Sequence, residues 1–140
     1  YPALNVVQTG TEEMSVYVNQ DYAQPTAHLH RYSLRLDGFA SVYGNWKGGE
    51  LLTKPLIFSG EKMLVNFSTS ANGGLSVEIT DIDGKSINGF DKENAVELIG
   101  NEIEKEVKWK NSETLKNLSG KPVRIRFFLS DAHIFSFRFE

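Results

Sequence analysis

The feature of the sequence that most constrains its fold is an alternation of apolar and polar residues with period two along much of the chain. Neighbouring side chains of a strand point to opposite faces of a sheet, so this alternation is typical of half-buried strands. It is clearest in residues 63–68, 75–80, 123–129 and 134–139. In the last of these segments, it predicts that Phe135, Phe137 and Phe139 share one face.

Turn signals separate the alternating segments at short intervals. They are Gly48-Gly49, Ser59-Gly60, Asn72-Gly73-Gly74, Asp83-Gly84, Asn88-Gly89, Gly100-Asn101 and Ser119-Gly120. Gly, Asn and Asp tolerate the backbone angles of tight turns, and strands that recur about every 8–12 residues are typical of a sandwich or barrel. We therefore predict an all-β fold, a two-sheet antiparallel β-sandwich of jelly-roll type. The helical candidate is a single turn around Ser112 to Leu118.

The composition excludes several classes of function. The chain has 140 residues, a formal net charge of -3 and no cysteine. Its length suits one domain with its own core, and its charge gives no electrostatic reason to expect nucleic acid or a membrane surface as a partner. The absence of cysteine excludes disulfide bonds and thiolate catalysis. Because the chain begins at Tyr1 without a signal-peptide pattern, we expect a processed protein or a fragment.

An Asp-Gly pair interrupts the alternating stretch "RYSLRLDGFASVY" at residues 31–43. As a two-residue hairpin loop, this pair would place apolar residues opposite polar ones across the ribbon. A strand that runs straight through keeps the apolar residues in phase, so we predict one continuous strand from Leu34 to Val42. Asp37 would then lie on a sheet face two residues from Arg35, where the two side chains form a candidate structural ion pair.

Five stretches of the sequence, taken together, resemble one protein family. They are "RYSLRLDGFASVYG", "GGELLTKPLIFSG", "GKSINGF", "VKWK" and "LSGKPVRIRFFLSDAHIFSFRF", in this order over roughly residues 30 to 140. The family they resemble is the C-terminal β-sandwich domain that follows a five-bladed β-propeller in bacterial glycoside-hydrolase-like proteins, those related to β-fructosidases and arabinanases. The preceding "EEMSVYVNQDY" resembles the last strand of such a propeller and the start of a linker.

The resemblance implies an accessory module, because the acidic catalytic residues of such proteins lie in the propeller. It implies an N-terminal strand and linker segment at residues 1–29, left from a preceding propeller, and a β-sandwich domain at residues 30–140. The partner would be the propeller of the parent chain, and the parent would be secreted or periplasmic. A strand at Met14 to Val18 without its blade would expose unpaired backbone groups. We therefore expect residues 1–27 to fold back on the sandwich or to self-associate with another copy of the chain.

Sugar recognition by a β-sandwich uses exposed aromatic rings as stacking platforms. Trp109 lies an even number of positions from Ile103 and Val107, so in a strand all three point to the same face, which predicts a core position for Trp109. Trp46 lies in the Gly-rich stretch "YGNWKGGE" without a periodic partner, so it is the better platform. The candidate carbohydrate-binding residues are Trp46, its neighbours Tyr43, Asn45 and Lys47, and, in a second stretch, Tyr22. The alternative is that these rings cover the end of the sandwich or dock against the propeller.

No catalytic residue and no metal ligand are predicted. Glycoside hydrolysis needs two carboxylates about 5–10 Å apart, whereas Asp37, Asp83 and Asp131 are each explained by an ion pair or a turn. The three histidines are too scattered for a zinc site. A structural calcium ion stays an open alternative at residues 81–93, which offer oxygen ligands without the EF-hand spacing. No other cofactor is expected.

We therefore expect a non-catalytic accessory module of a glycoside-hydrolase-like protein, which packs on a catalytic propeller and contacts glycan. The first alternative is an autonomous carbohydrate-binding module. The second is a glycoside hydrolase in its own right, which would require a carboxylate pair in a cleft. Whether Trp46 and Tyr22 stand on a concave, polar surface or on a flat, apolar patch distinguishes sugar binding from packing.

Overall fold

The computed structural model describes residues 1–111 and 114–140. The chain divides into two compact units, Tyr1–Ala40 and Ser41–Glu140. The predicted all-β fold with two antiparallel sheets is confirmed, because the described chain is nearly all β and its strands form one sheet of three strands and one of six. The jelly-roll arrangement stays a prediction.

The first unit contains a three-stranded antiparallel sheet in the order β1-β2-β3. Its strands are β1 (Val7–Gln8), β2 (Glu13–Gln20) and β3 (His28–Arg35). The predicted domain division after residue 29 falls inside β3. Both neighbours of β2 are strands of the same chain, so Met14 to Val18 is paired within the first unit, and the folding back of residues 1–27 on the sandwich stays a prediction. Self-association through residues 1–27 stays a prediction.

The second unit contains a six-stranded antiparallel sheet in which most strands pair with β9. Its strands are β4 (Val42–Gly44), β5 (Gly49–Leu52), β6 (Leu56–Ile57), β7 (Met63–Thr80), β8 (Asn101–Glu106) and β9 (Pro122–Phe139). β4, β5 and β6 each pair with β9, which also pairs with β7, and β8 pairs with β7. The two long strands, β7 and β9, have 18 residues each.

The hydrophobic core of the second unit lies between one face of this sheet and the chain that connects β7 to β9. The predicted alternation is confirmed in the first half of β9, where Val123, Ile125, Phe127 and Leu129 are at most 2% exposed. The connecting chain contributes Phe90, Ala95, Leu98, Val107, Trp109, Leu115 and Leu118. The predicted core position of Trp109 is confirmed, since its ring is buried and its indole N–H donates to the carbonyl of Val77 at 3.0 Å.

The continuous strand predicted from Leu34 to Val42 is wrong. β3 ends at Arg35, and residues 36–39 form a turn in which the N–H of Gly38 donates to the carbonyl of Arg35 at 3.0 Å. Asp37 adopts a left-handed φ of 56°, which Asp tolerates better than most residues. The next strand, β4, pairs in the other sheet. The preference of Asp-Gly for a turn therefore outweighs the alternation of apolar residues on either side of it.

Two predicted breaks between strands are also wrong. The turn predicted at residues 72–74 lies inside β7, and the turn predicted at Asp131 lies inside β9. The regular pairing of β7 with β9 stops at Thr69 and Ala132 and resumes at Gly74 and Ser130. Residues 70–73 and Asp131 thus lie outside the regular pairing, and this irregularity is a β-bulge.

The predicted common face of Phe135, Phe137 and Phe139 is wrong for Phe135. The pairing of β9 with β7 has a second irregularity, because Ile134 and Ser136 pair with consecutive residues of β7. Phe135 is therefore an extra residue, and it shifts the alternation by one position. Phe137 and Phe139 pack against the core.

A single 3₁₀ turn at Leu115–Asn117 is the described part of the predicted helical turn. The side chain of Thr114 accepts a hydrogen bond from the N–H of Lys116 and caps its start. Ser112, where the prediction begins, lies outside the described residues with Glu113.

We expect Trp109→Ala to lower the free energy of unfolding by about 3–5 kcal/mol, because it removes a buried ring and leaves a cavity. Trp46→Ala is the matched control, and since the Trp46 ring is 74% exposed we expect a loss below about 0.5 kcal/mol. Urea denaturation followed by circular dichroism measures both. Equal losses would contradict the assignment of Trp109 to the core.

Candidate functional site

Three neighbouring segments of the second unit are interrupted at the same level of the sheet, and the candidate site lies there. β4 pairs with β9 up to Ala132 and β5 pairs with β9 from Leu129, so residues 45–48 form the connection between the two paired segments. Residues 70–73 of β7 lie outside the pairing at this level. Asp131 of β9 has a left-handed φ of 43°. Such bulges redirect side chains and are frequent beside active sites.

A tight turn between β4 and β5 holds Trp46 away from the core. The N–H of Gly48 donates to the carbonyl of Asn45 at 2.9 Å, and the N–H of Lys47 donates to Oδ1 of Asn45 at 2.9 Å. Asn at the first position and Gly at the fourth are favoured in such turns. Trp46 stands at the tip, 74% exposed, with the Lys47 ammonium 5.4 Å from its ring centre. The exposure of this ring therefore follows from the turn.

Two hydroxyl groups hold the carboxylate of Asp131. The hydroxyl of Ser70 donates to it from β7, and the hydroxyl of Tyr43 donates to Oδ1 from β4 at 2.8 Å. The hydrogen bond from Ser70 and then that from Tyr43 lower the pKa of Asp131, and the same bond to Asp131 raises the pKa of Tyr43. Asp131 is therefore ionised at neutral pH.

A cavity of about 550 Å³ lies at this level of the sheet. It is lined by Trp46, Ser70, Ala71, Asn72, Ser130 and Asp131, and we call it the Trp46 cavity. Its lining combines a large exposed ring with an ionised carboxylate, a carboxamide and hydroxyl groups. Concave surfaces that join an apolar ring to a few fixed polar groups are typical of small-ligand sites.

A row of three rings supports the hydroxyl of Tyr43. Tyr43 faces His133 across the pairing of β4 with β9, and their rings stack with centres 4.5 Å apart. The ring of Phe135 follows, 6.1 Å from that of His133. The hydroxyl of Ser41 lies 2.9 Å from Nδ1 of His133 and helps to hold the imidazole. Cross-strand ring pairs of this kind stabilise a sheet, and here they fix the donor that binds Asp131.

The structure brings together four of the five residues predicted to bind carbohydrate. Trp46 lines the cavity, Tyr43 holds Asp131, and Asn45 and Lys47 complete the turn. Tyr22 belongs to the first unit, where it is 65% exposed. That these residues bind carbohydrate stays a prediction.

Sequence reasoning missed three polar residues of the site, Ser70, Asn72 and Asp131. The sequence predicts turns at Asn72 and Asp131, because both adjoin residues that are typical of turns. A signal for Asp131 is present in the sequence, since the apolar positions pass from Leu129 to Ala132 and Ile134 and so skip one step of the alternation. Such a phase shift inside a long apolar stretch is what a β-bulge produces.

The candidate ion pair of Arg35 with Asp37 loses its structural basis. Asp37 lies in the turn after β3, so the two residues do not share the face of one strand. Burial lowers the pKa of Arg35, and the negative charge of Glu12 opposes this effect. The pairing itself stays a prediction.

The carboxylates of the candidate calcium segment stabilise turns. Oδ1 of Asp81 accepts the N–H groups of Asp83 and Lys85 at 3.0 and 2.9 Å. The carboxylate of Asp91 accepts the side-chain and backbone N–H groups of Asn94, and these bonds lower its pKa. In residues 1–111 and 114–140, no group of three His, Cys, Asp or Glu side chains could hold a metal ion. A structural calcium ion stays a prediction.

Comparison of the chain with models of protein families, with curated proteins and with solved structures finds no match. The resemblance to the C-terminal domain of glycoside-hydrolase-like proteins therefore stays a prediction. Within the part of the chain that the structure describes, no helix is both long and apolar enough to span a membrane.

We expect the carboxyl group of Asp131 to titrate below the ordinary range of Asp, and each lost donor to raise its pKa. Ser70→Ala should raise it more than Tyr43→Phe, because the bond from Ser70 makes the larger contribution. Because folding lowers the pKa of Asp131, its ionised carboxylate stabilises the fold at pH values above the ordinary pKa of Asp. This stabilisation is lost as the pH falls through the lowered pKa. Carbon-detected NMR titration measures the shift, and an unchanged pKa in both variants would refute the assignment.

We expect Gly73→Ala to destabilise the second unit by about 1–3 kcal/mol through overpacking. A Cβ at Gly73 would lie 2.5 Å from the carbonyl oxygen of Asp131 and 2.6 Å from that of Ser130, and both are backbone atoms. Gly74→Ala is the matched control, because its Cβ would meet the side chain of Glu97, which can rotate away. Urea denaturation compares the two. A larger loss for Gly74→Ala would contradict this packing.

Proposed function

We propose that the chain is a non-catalytic accessory module that binds glycan at the Trp46 cavity. The observation that carries this proposal is an exposed indole beside an ionised carboxylate and a carboxamide on one concave surface. A surface used only for packing against another domain is expected to be flat and apolar, whereas this one is concave and carries a carboxylate, a carboxamide and hydroxyl groups beside the ring.

The chemistry of the cavity suits a sugar. The C–H face of a pyranose or furanose ring is apolar and packs against an aromatic ring such as that of Trp46. Its hydroxyl groups donate to carboxylates and exchange hydrogen bonds with amides, the groups that Asp131 and Asn72 offer. A hydrogen bond to an ionised carboxylate is stronger than one to a neutral acceptor. Because Ser70 and Tyr43 already hold Asp131, its orientation is set before a ligand arrives.

The electrostatics of the cavity support binding without hydrolysis. A glycoside hydrolase needs one carboxyl group that keeps its proton near neutral pH, which requires a raised pKa. The hydrogen bonds from Ser70 and Tyr43 lower the pKa of Asp131. Asp131 therefore suits the recognition of hydroxyl groups and does not suit general acid catalysis.

The wider setting of the proposal rests on the resemblance. It places the module in a bacterial glycoside-hydrolase-like protein, secreted or periplasmic, where it packs on a preceding propeller. The alternative is an autonomous carbohydrate-binding module, and the exposed Trp46 cavity suits both.

We expect Trp46→Ala to weaken glycan binding by at least about tenfold, because a central stacking ring contributes more than about 1.4 kcal/mol. The measurement is affinity electrophoresis in cellulose-derived, xylan, mannan, arabinan and fructan gels, followed by calorimetry on the best ligand. Asp131→Asn should also weaken binding, since it removes the charged acceptor and keeps its size.

Phe39→Ala is the matched control, because Phe39 is an aromatic residue in a turn and is 66% exposed. It should bind as the wild type does. Wild-type affinity in Trp46→Ala, or an equal loss in Phe39→Ala, would contradict the proposed site, and a wild-type chain that binds no glycan would overturn the function.

A further inference from the structure

We propose that the ligand is a linear oligosaccharide, of which one unit occupies the Trp46 cavity and the next a second cavity beside it. This inference rests on the proposed function and adds the class of ligand. The second cavity has a volume of about 510 Å³. Its lining includes Glu50, Ser76, Lys92, Glu97, Phe128 and Ser130, and we call it the Glu97 cavity.

The two cavities are neighbours along β9. Ser130 lines both of them. The turn that carries Trp46 leads into Gly48 and Gly49, which line the Glu97 cavity. From Gly49 onward, β5 pairs with the part of β9 that contains Phe128. A chain of sugar units that leaves the Trp46 ring along β9 therefore enters the Glu97 cavity directly.

The carboxylate of Glu97 can accept hydrogen bonds from such a ligand. The side chain is exposed and lies over Gly74, where a Cβ atom would collide with its carboxylate. The ion pairs within residues 1–111 and 114–140 do not include Glu97, so its oxygens have no competing cation. Because Gly74 has no side chain, the carboxylate of Glu97 fits against it in the lining of the Glu97 cavity.

Lys92 supplies the matching donor. Its ammonium group lies 4.1 Å from the ring centre of Phe128, which positions the charge by a cation–π contact. Phe128 therefore positions Lys92 on this surface. A donor and an acceptor on one polar surface suit the vicinal hydroxyl groups of a sugar unit, whose orientation they would fix.

The other carboxylate of the Glu97 cavity is already engaged. Glu50 pairs with Nε of Arg126 at 2.9 Å, and Arg126 also pairs with the buried carboxylate of Glu78 at 2.8 Å. Glu50 thus has a cation beside it, although it makes no hydrogen bond to Nε of Arg126. This arrangement suits a binding subsite, since hydrolysis would need a second carboxyl group free to take or give a proton.

The test compares ligands of increasing length. The wild type and the double variant Lys92→Ala/Glu97→Gln are titrated by calorimetry with the cello-, xylo-, manno-, arabino- and fructo-oligosaccharide series, from the shortest ligand with measurable binding to the hexasaccharide. We expect the wild-type affinity to rise by about tenfold or more with length, and the double variant to keep its affinity for the shortest ligand and lose most of that gain. Glu93→Gln, an exposed neighbour outside the cavity lining, is the control and should keep the gain.

The failure of this inference is distinguishable from that of the proposed function. An affinity that does not depend on length, or a gain that persists in the double variant, would overturn the second subsite and leave the Trp46 cavity as a single-unit site. If the wild type binds none of these oligosaccharides, the proposed function and this inference both fail.

Discussion

The candidate site depends on one constraint, the interruption of β9 at Asp131. In a regular strand, Asp131 would follow Leu129 on the core face, where an ionised carboxylate would be strongly destabilising. The left-handed backbone at Asp131 inserts one step, so the buried position passes to Ala132. The carboxylate is thereby directed towards Tyr43 and Ser70, which hold it in the charged form. The buried positions then continue two residues apart until Phe135, where the second bulge returns them to the odd-numbered residues.

The segments that pair with β9 on either side are also irregular at this level, and each contributes residues to the Trp46 cavity. On one side, residues 45–48 form a tight turn between β4 and β5 that carries Trp46 outward. On the other side, residues 70–73 of β7 leave the pairing, and Gly73 lies so close to the backbone of β9 that no larger side chain fits. A ring, a carboxylate and an amide thus converge because three segments depart from regular pairing together.

Sequence patterns predicted the regular parts of this structure and missed the irregular ones. Period-two alternation predicted the buried residues of β9 from Val123 to Leu129, and the lack of a periodic partner predicted the exposure of Trp46. Alternation alone does not give the register of β9, because partner strands far away in sequence decide it, so the phase shift from Leu129 to Ala132 becomes a bulge only once the pairing is known. The same pattern failed at Asp37, where local turn chemistry outweighs the alternation. The polar members of the site were missed because they lie where regular pairing stops.

The most direct test of the account is a nitrogen–proton NMR titration of the labelled chain with the oligosaccharide that it binds best. The two indole N–H groups report from opposite environments, since that of Trp46 is exposed and that of Trp109 donates to Val77 inside the core. If the oligosaccharide binds at the Trp46 cavity, we expect saturable shifts for the Trp46 indole, the Asn72 side-chain amide and the Asp131 backbone amide, with an unmoved Trp109 indole. Saturable shifts that leave Trp46 and Asp131 unmoved would contradict the account.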